Sequence, residues 1–199
     1  MAFHILHLTQ KDYVVSQWSG GTTTQIAIAP QGAQYGDRTF LWRLSSATVD
    51  LDASDFTPLP DYHRLIAPLK GEMVLTHNGG VPVALRPYQV HAFDGAADTH
   101  SEGRCVDFNL MLRKGACQGR IAPVELDGAG SRQLDVSPDA EELVLYCVEG
   151  GGRVSGVGEA AQLRPGEAVR IQSPGEAKLM LECPGAAAFM AAEVYHSHS

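Results

Sequence analysis

The residues of this 199-residue sequence best suited to chemistry are those that could hold a small anion. Arg43 stands in the middle of F-L-W-R-L-S-S-A-T-V (residues 40–49), a stretch with strand propensity and apolar neighbours. On a strand, Leu41, Arg43, Ser45, Ala47 and Val49 share one face, and Trp42, Leu44, Ser46 and Thr48 the other. An interior guanidinium cannot shed its charge, so it must meet a protein carboxylate or a bound anion. Both readings of Arg43 stay open from the sequence. Asp107 and Asn109 share a face of C-V-D-F-N-L-M-L-R (residues 105–113), opposite Val106, Phe108, Leu110 and Leu112. That is the pattern of a polar cavity wall, and Asp107 is also an available partner for Arg43. His63 and Arg64 stand where another strand begins, and as neighbours they point to opposite faces, so one of them is expected to reach the cavity. Trp18 precedes S-G-G-T-T-T-Q, where Gly20 and Gly21 mark a bend or a close approach of backbone. Thr23 and Gln25 then offer a hydroxyl and an amide at strand spacing. The structural alternatives are a bulge with a Thr-rich edge strand, and an ion pair inside a sandwich. The candidate ligand-binding set is therefore Trp18, Thr23, Gln25, Arg43, Ser45, His63, Arg64, Asp107 and Asn109. In it, arginine supplies a fork for a carboxylate, Thr, Ser and Asn satisfy an amide, and Trp18 covers an apolar stem.

Catalytic chemistry finds less support. The histidines are His4, His7, His63, His77, His91, His100, His196 and His198, and the only H-x-H lies at the C-terminal tail, which is expected to fray. A metal needs several ligands converging at about 2.0–2.2 Å, and no spacing here promises that, so no metal and no cofactor are expected. No serine sits in a G-x-S-x-G elbow and no cysteine has a histidine beside it, so no catalytic residue is assigned. A metal-dependent isomerase or dioxygenase remains the alternative function.

The elements that must position these side chains read as short strands. The chain carries 21 Gly and 11 Pro, spread throughout, which fits many strands joined by turns. Between residues 64 and 93, N-G-G at Asn78 predicts a hairpin, and R-P-Y turns the chain into V-H-A-F. The unit recurs: L-V-L-Y-C-V-E-G-G-G-R-V begins at Leu143, and Leu85-Arg86-Pro87 matches Leu163-Arg164-Pro165. Two copies of one β unit imply a duplicated, all-β architecture. Residues 50–60 and 94–103 read as loops and 114–131 as an irregular linker. The second copy, about residues 132–194, has no Trp and no clustered His, and reads as structural. The net charge is −8, and no basic run provides the footprint of a nucleic-acid binder. No apolar run approaches the ~20 residues of a membrane helix. Cys105, Cys117, Cys147 and Cys183 show no C-x-x-C spacing, and no leader is evident after Met1, so a cytoplasmic protein with reduced thiols is expected.

The segments W-S-G-G-T-T-T-Q, F-L-W-R-L-S-S-A, D-F-T-P-L-P-D-Y-H-R leading to L-K-G, and D-F-N-L-M-L-R stand in one order over most of residues 13–113. Together they resemble the HutD/Ves family of bicupins. The resemblance implies a double cupin fold, with an N-terminal cupin-like barrel in residues 1–115 carrying the pocket and a structural C-terminal barrel in residues 116–199. It also implies a bacterial protein that binds a small acid of histidine utilisation, or acts in a related stress response, and limits flux rather than catalysing a step. Arg43, Ser45, Arg64, Asp107 and Asn109 fall on matching positions. Better-known members carry Asn-Gly-Gly-Gly after the Trp and glutamates before the Ile. Ser19-Gly20-Gly21 and Gln25 stand here instead, which changes the charge and shape of one wall. The expected partner is a small anionic metabolite, with neither nucleic acid nor membrane, and exposed strand edges would allow a homodimer.

Overall fold

The structure, a computed structural model, describes residues 4–175 and 177–196. The expectations for Phe3 and for Ser197, His198 and Ser199 fall outside them. The chain forms two compact units, residues 13–118 and residues 1–12 with 119–199. The expected division near residue 115 thus differs at the N-terminus. There β1 (Ile5–Leu8) pairs antiparallel with β17 (Ala168–Gln172) of the second unit.

The first unit contains β2 (Val14–Trp18), β3 (Gly21–Ala29), β4 (Trp42–Val49), β5 (Ala53–Asp55), β6 (Tyr62–Gly71), β7 (Met73–His77), β8 (Val83–Leu85), β9 (His91–Asp94), β10 (Thr99–Glu102) and β11 (Cys105–Arg113). They make a six-stranded sheet, β2-β3-β4-β11-β6-β9, and a four-stranded sheet, β5-β10-β7-β8. The second unit adds β12 (Cys117–Leu126), β13 (Gly130–Gln133), β14 (Glu142–Glu149), β15 (Gly152–Gly156), β16 (Glu159–Leu163), β18 (Met180–Cys183) and β19 (Ala187–His196). Its sheets are β1-β17-β14-β19-β12 and β13-β18-β15-β16. Adding eight to each label turns β4-β11-β6-β9 into β12-β19-β14-β17, and β5-β10-β7-β8 into β13-β18-β15-β16. The duplication therefore extends over eight strands and begins at β12. Residues 114–131 are correspondingly not a linker, since Cys117, Ile121 and Val124 of β12 are buried. The two loops expected at 50–60 and 94–103 hold β5 and β10, whose inward residues Thr99 and Ser101 are polar and so gave no apolar alternation. Tyr195 and His196, expected to fray, continue β19, where the Tyr195 hydroxyl donates to Glu193 Oε2 at 2.6 Å.

The matched turns share their bonding as well as their letters. Gln89 N–H donates to the Arg86 carbonyl and Arg86 N–H to the Gln89 side chain. Glu167 and Arg164 repeat both bonds. The third residue of each turn is left-handed, Tyr88 at φ 66° and Gly166 at φ 86°. Gly166→Ala is expected to lower stability by about 1 kcal/mol, because alanine lacks glycine's freedom there. A urea midpoint shifted down at unchanged slope would show it.

The two interiors differ. The second unit has one continuous apolar cluster, including Leu143, Leu145, Cys147, Val169, Leu181 and Phe189. In the first, one cluster gathers around Ile66, Met73 and Leu75 and another around Phe40, Tyr62 and Met111. Between them lie buried polar side chains: Arg43, Arg64, Asp107 and Asn109 are each 4–6 % exposed. All four cysteines are buried. Burial pushes the Cys105 and Cys147 thiols up to about 12 and the Cys183 thiol upward.

Candidate functional site

Three neighbouring strands set the site in register. Arg43 on β4 and Arg64 on β6 both face Met111 on β11, which lies between them. Two residues along, Ser45 and Ile66 face Asn109, and next Ala47 and Pro68 face Asp107. One sheet face thus gathers Arg43, Ser45, Arg64, Asp107 and Asn109. With Trp18 and Thr23 they line a cavity of about 280 Å³. Seven of the nine expected residues come together. Gln25 does not line the cavity, but its Oε1 accepts from Arg43 Nε at 2.8 Å and so orients that guanidinium. The β3 bulge between Gln25 and Ala27 keeps Gln25 opposite Ser45 on the cavity face. His63 is corrected: it is exposed on the other face of β6, as strand alternation requires once Arg64 points inward.

The glycines after Trp18 do what the sequence suggested. A Cβ on Gly20 would run into the Trp18 ring, and one on Gly21, at φ 149°, into the Thr48 carbonyl. The ring is thereby laid over backbone at the cavity rim, where Trp18 is 39 % exposed.

Each arginine is held by aromatic faces that the sequence reading missed. The Arg43 guanidinium lies 4.3 Å from the Tyr35 ring centre, and its Nη1 donates to Ser45 Oγ at 3.2 Å. Arg64 lies 4.7 Å from Phe56 and 5.2 Å from Phe93. Phe56 sits in the stretch 50–60 that reads as a loop, and Tyr35 in the polar P-Q-G-A-Q-Y-G-D-R-T (residues 30–39), where an aromatic in such company was the available signal. Ser16, Ser54, Asp55 and Thr57 complete part of the wall.

The charges are unevenly answered. Arg64 Nε, Asp107 Oδ1 and Asn109 Oδ1 are buried without a hydrogen-bond partner in the protein. No ion pair joins Asp107 to either arginine among the described residues. Burial dominates every shift here. It pushes the Asp107 carboxyl up to about 7 against the pull of Arg64, and draws the Arg64 guanidinium down to about 10. Arg43 is likewise lowered by burial. Both arginines stay cationic at neutral pH, beside a carboxyl whose ionisation burial opposes. Unpaired buried donors and acceptors are costly in a folded protein, and sites that keep them commonly use them. Among the described residues no three His, Cys, Asp or Glu side chains converge as metal ligands would. No helix is long and apolar enough to cross a membrane.

The second barrel carries no such arrangement. Ile66 faces Asn109 where Leu145 faces Ala191, and Pro68 faces Asp107 where Cys147 faces Phe189. The polar pair Asp107 and Asn109 is thus replaced by Phe189 and Ala191. By the same spacing Arg64 corresponds to Leu143.

Comparison with known proteins agrees with this architecture. No curated protein sequence matches. Among solved structures, a conserved protein of unknown function from Pseudomonas aeruginosa PAO1 superposes with a TM-score of 0.82 at 26% identity, covering 96% of this chain and 99% of that one. HutD from Pseudomonas fluorescens SBW25 gives 0.72 at 25% identity, over 98% and 100%. Oxalate decarboxylase from Bacillus subtilis gives 0.68 at 8% identity, over 97% and 77%, a likeness of fold alone. The model of the HutD family matches residues 10–189. The chain belongs to the HutD family and has the nearly all-β double cupin fold.

Proposed function

We propose that the chain is a non-catalytic binder of a small carboxylate or acylated amino acid, acting in the cytoplasm to modulate histidine utilisation or a related stress response. The observation that carries this reading is the cavity itself. It sets two guanidinium groups beside buried Asp107 and Asn109 oxygens, with Arg64 Nε and both acceptors unanswered by the protein. A carboxylate would meet the arginine donors, and an amide N–H would meet the acceptor oxygens. The family membership supports the link to histidine utilisation. A metal-dependent isomerase or dioxygenase is the second reading, and among the described residues no three His, Cys, Asp or Glu side chains gather for it. A homodimer would use the free edge of β2, where Val14, Val15 and Trp18 stand exposed.

Isothermal titration with formylglutamate, urocanate, glutamate and histidine tests the ligand class. One equivalent of an acid is expected to bind, with formylglutamate, which carries both carboxylate and amide, ahead of histidine. Heat-silent titrations with all four, on a cooperatively folding sample, would remove the ligand class.

A further inference from the structure

We propose that His77 and His91 form a two-nitrogen chelate for a borderline divalent cation such as Cu²⁺, Ni²⁺ or Zn²⁺, at a site separate from the anion cavity. The two histidines come from different sheets. His77 ends β7 in the four-stranded sheet, and His91 opens β9 at the edge of the six-stranded one. Their Nε2 atoms are 2.9 Å apart. The rings lie within 17° of parallel with centroids 5.1 Å apart, so the nitrogens meet edge to edge. Both side chains are half-buried, which leaves one side of the pair open to solvent.

The surroundings fix which nitrogen offers a lone pair. Thr99 Oγ1 donates to the Ala97 carbonyl at 3.2 Å, so it accepts from His77 Nδ1–H at 2.9 Å. His77 Nε2 is then unprotonated and aimed at His91. Neutral imidazole with its other nitrogen hydrogen-bonded is the usual state of a metal-binding histidine, the outer partner setting tautomer and ring direction. His91 becomes the second ligand by shifting its proton from Nε2 to Nδ1, with no net proton released. A tetrahedral ion with bonds of about 2.0–2.1 Å needs its two nitrogens about 3.3 Å apart with both lone pairs turned toward it, so the rings must part by ~0.4 Å and each pivot by roughly 35° from their present head-on contact. Water or a small anion would fill the other positions. Burial lowers the proton affinity of both rings, and the neighbouring ring and Arg64 add to this at His77. The nearby Arg64 charge, which also lies against Phe93, opposes a cation and selects metals that bond strongly to nitrogen over hard oxygen-seeking ions. The bound ion would clamp the four-stranded sheet to the edge strand of the six-stranded one. The separation of the ligands by 14 residues, with a hairpin and a turn between them, hides the pair from motif reading.

The test uses tag-free full-length protein at about pH 7.5, where both rings are neutral. Zn²⁺, Ni²⁺ and Cu²⁺ are titrated separately, with the Cu²⁺ sample also examined by electron paramagnetic resonance. One equivalent is expected, with two-nitrogen hyperfine structure for copper and a metal-dependent rise in Tm. His91→Phe keeps a flat ring against Phe93 and is expected to weaken binding at least ten-fold. Thr99→Val, which touches no metal, should weaken it about ten-fold through loss of ring orientation. Failure of all three metals to bind, or equal binding by a folded His91→Phe protein, would overturn the site and leave other histidines as the metal's holders.

Discussion

Arg64→Met is expected to abolish anion binding while leaving the fold as stable as before or more so. The guanidinium is 6 % exposed, its Nε has no protein partner, and it is packed between Phe56 and Phe93. Methionine fills similar volume in that apolar slot without a charge to desolvate. Removing one member of a buried charge pair is ordinarily destabilising by about 3–5 kcal/mol, because the other charge is stranded. Asp107 escapes that outcome: its carboxyl already titrates near 7 and takes up a proton when the cation leaves. Loss of a desolvated arginine–carboxylate contact costs about 2–5 kcal/mol, so affinity should fall roughly 30-fold or more. Titration calorimetry and a thermal melt at about pH 6, below the Asp107 midpoint, read the two effects separately. Retained affinity would place the anion elsewhere. A Tm lowered by many degrees would make Arg64 a structural residue first.

The second large effect is a pH dependence written by Asp107. Its carboxyl titrates near 3.8 when unfolded and is pushed up to about 7 in the fold, chiefly by burial. Between those values the folded state holds a proton that the unfolded state has released. The stabilisation is therefore complete below about 3.8 and is lost as pH rises to about 7, at up to ~1.4 kcal/mol per unit. Other groups titrate in the same window, so the quantity to measure is the difference between wild type and Asp107→Asn. The asparagine variant should gain on the wild type steadily over that interval and then run parallel above it. Ligand binding adds a second slope. An anion beside Asp107 raises its proton affinity further, so the acid's affinity should fall about ten-fold per unit above pH 7 and flatten in the asparagine variant. Calorimetry in buffers of different ionisation enthalpy would count the proton taken up. A stability difference between wild type and Asp107→Asn that stays constant across this range would contradict the buried, anion-facing carboxyl.

The fold was readable from repetition. The matched Leu-Arg-Pro triplets mark equivalent turns, down to the side-chain bond back to Arg86 and Arg164. What escaped were strands whose inward residues are not apolar. β10 turns Thr99 and Ser101 inward, and β12 mixes Gly119 and Pro123 with its buried positions. Period-two reasoning placed Arg43, Ser45, Asp107 and Asn109 on cavity faces because each lies within a long strand bounded by clear turns. It could not choose between His63 and Arg64, since alternation gives opposite faces but not which is inside. The choice is made by packing: Phe56 and Phe93 offer Arg64 two aromatic faces. Tyr35 reaches the cavity from a single 3-10 turn (Tyr35–Asp37) and Phe56 from the segment after β5, both too short for any periodicity to announce them. The His77–His91 contact depends on two sheets meeting, which no local pattern encodes.

The four thiols give the molecule a built-in reporter. Cys105 lies on β11 of the first barrel and Cys147 and Cys183 lie in the second, Cys117 opens β12 where the chain passes from one to the other, and all four are shielded from solvent. A thiol-directed reagent can reach them only when the surrounding strands open, since the reacting species is the exposed thiolate. Labelling followed by peptide mass mapping would therefore time the opening of each barrel separately. The barrel with interior charge should be tagged earlier, and its occupancy by an acid should delay that tagging alone.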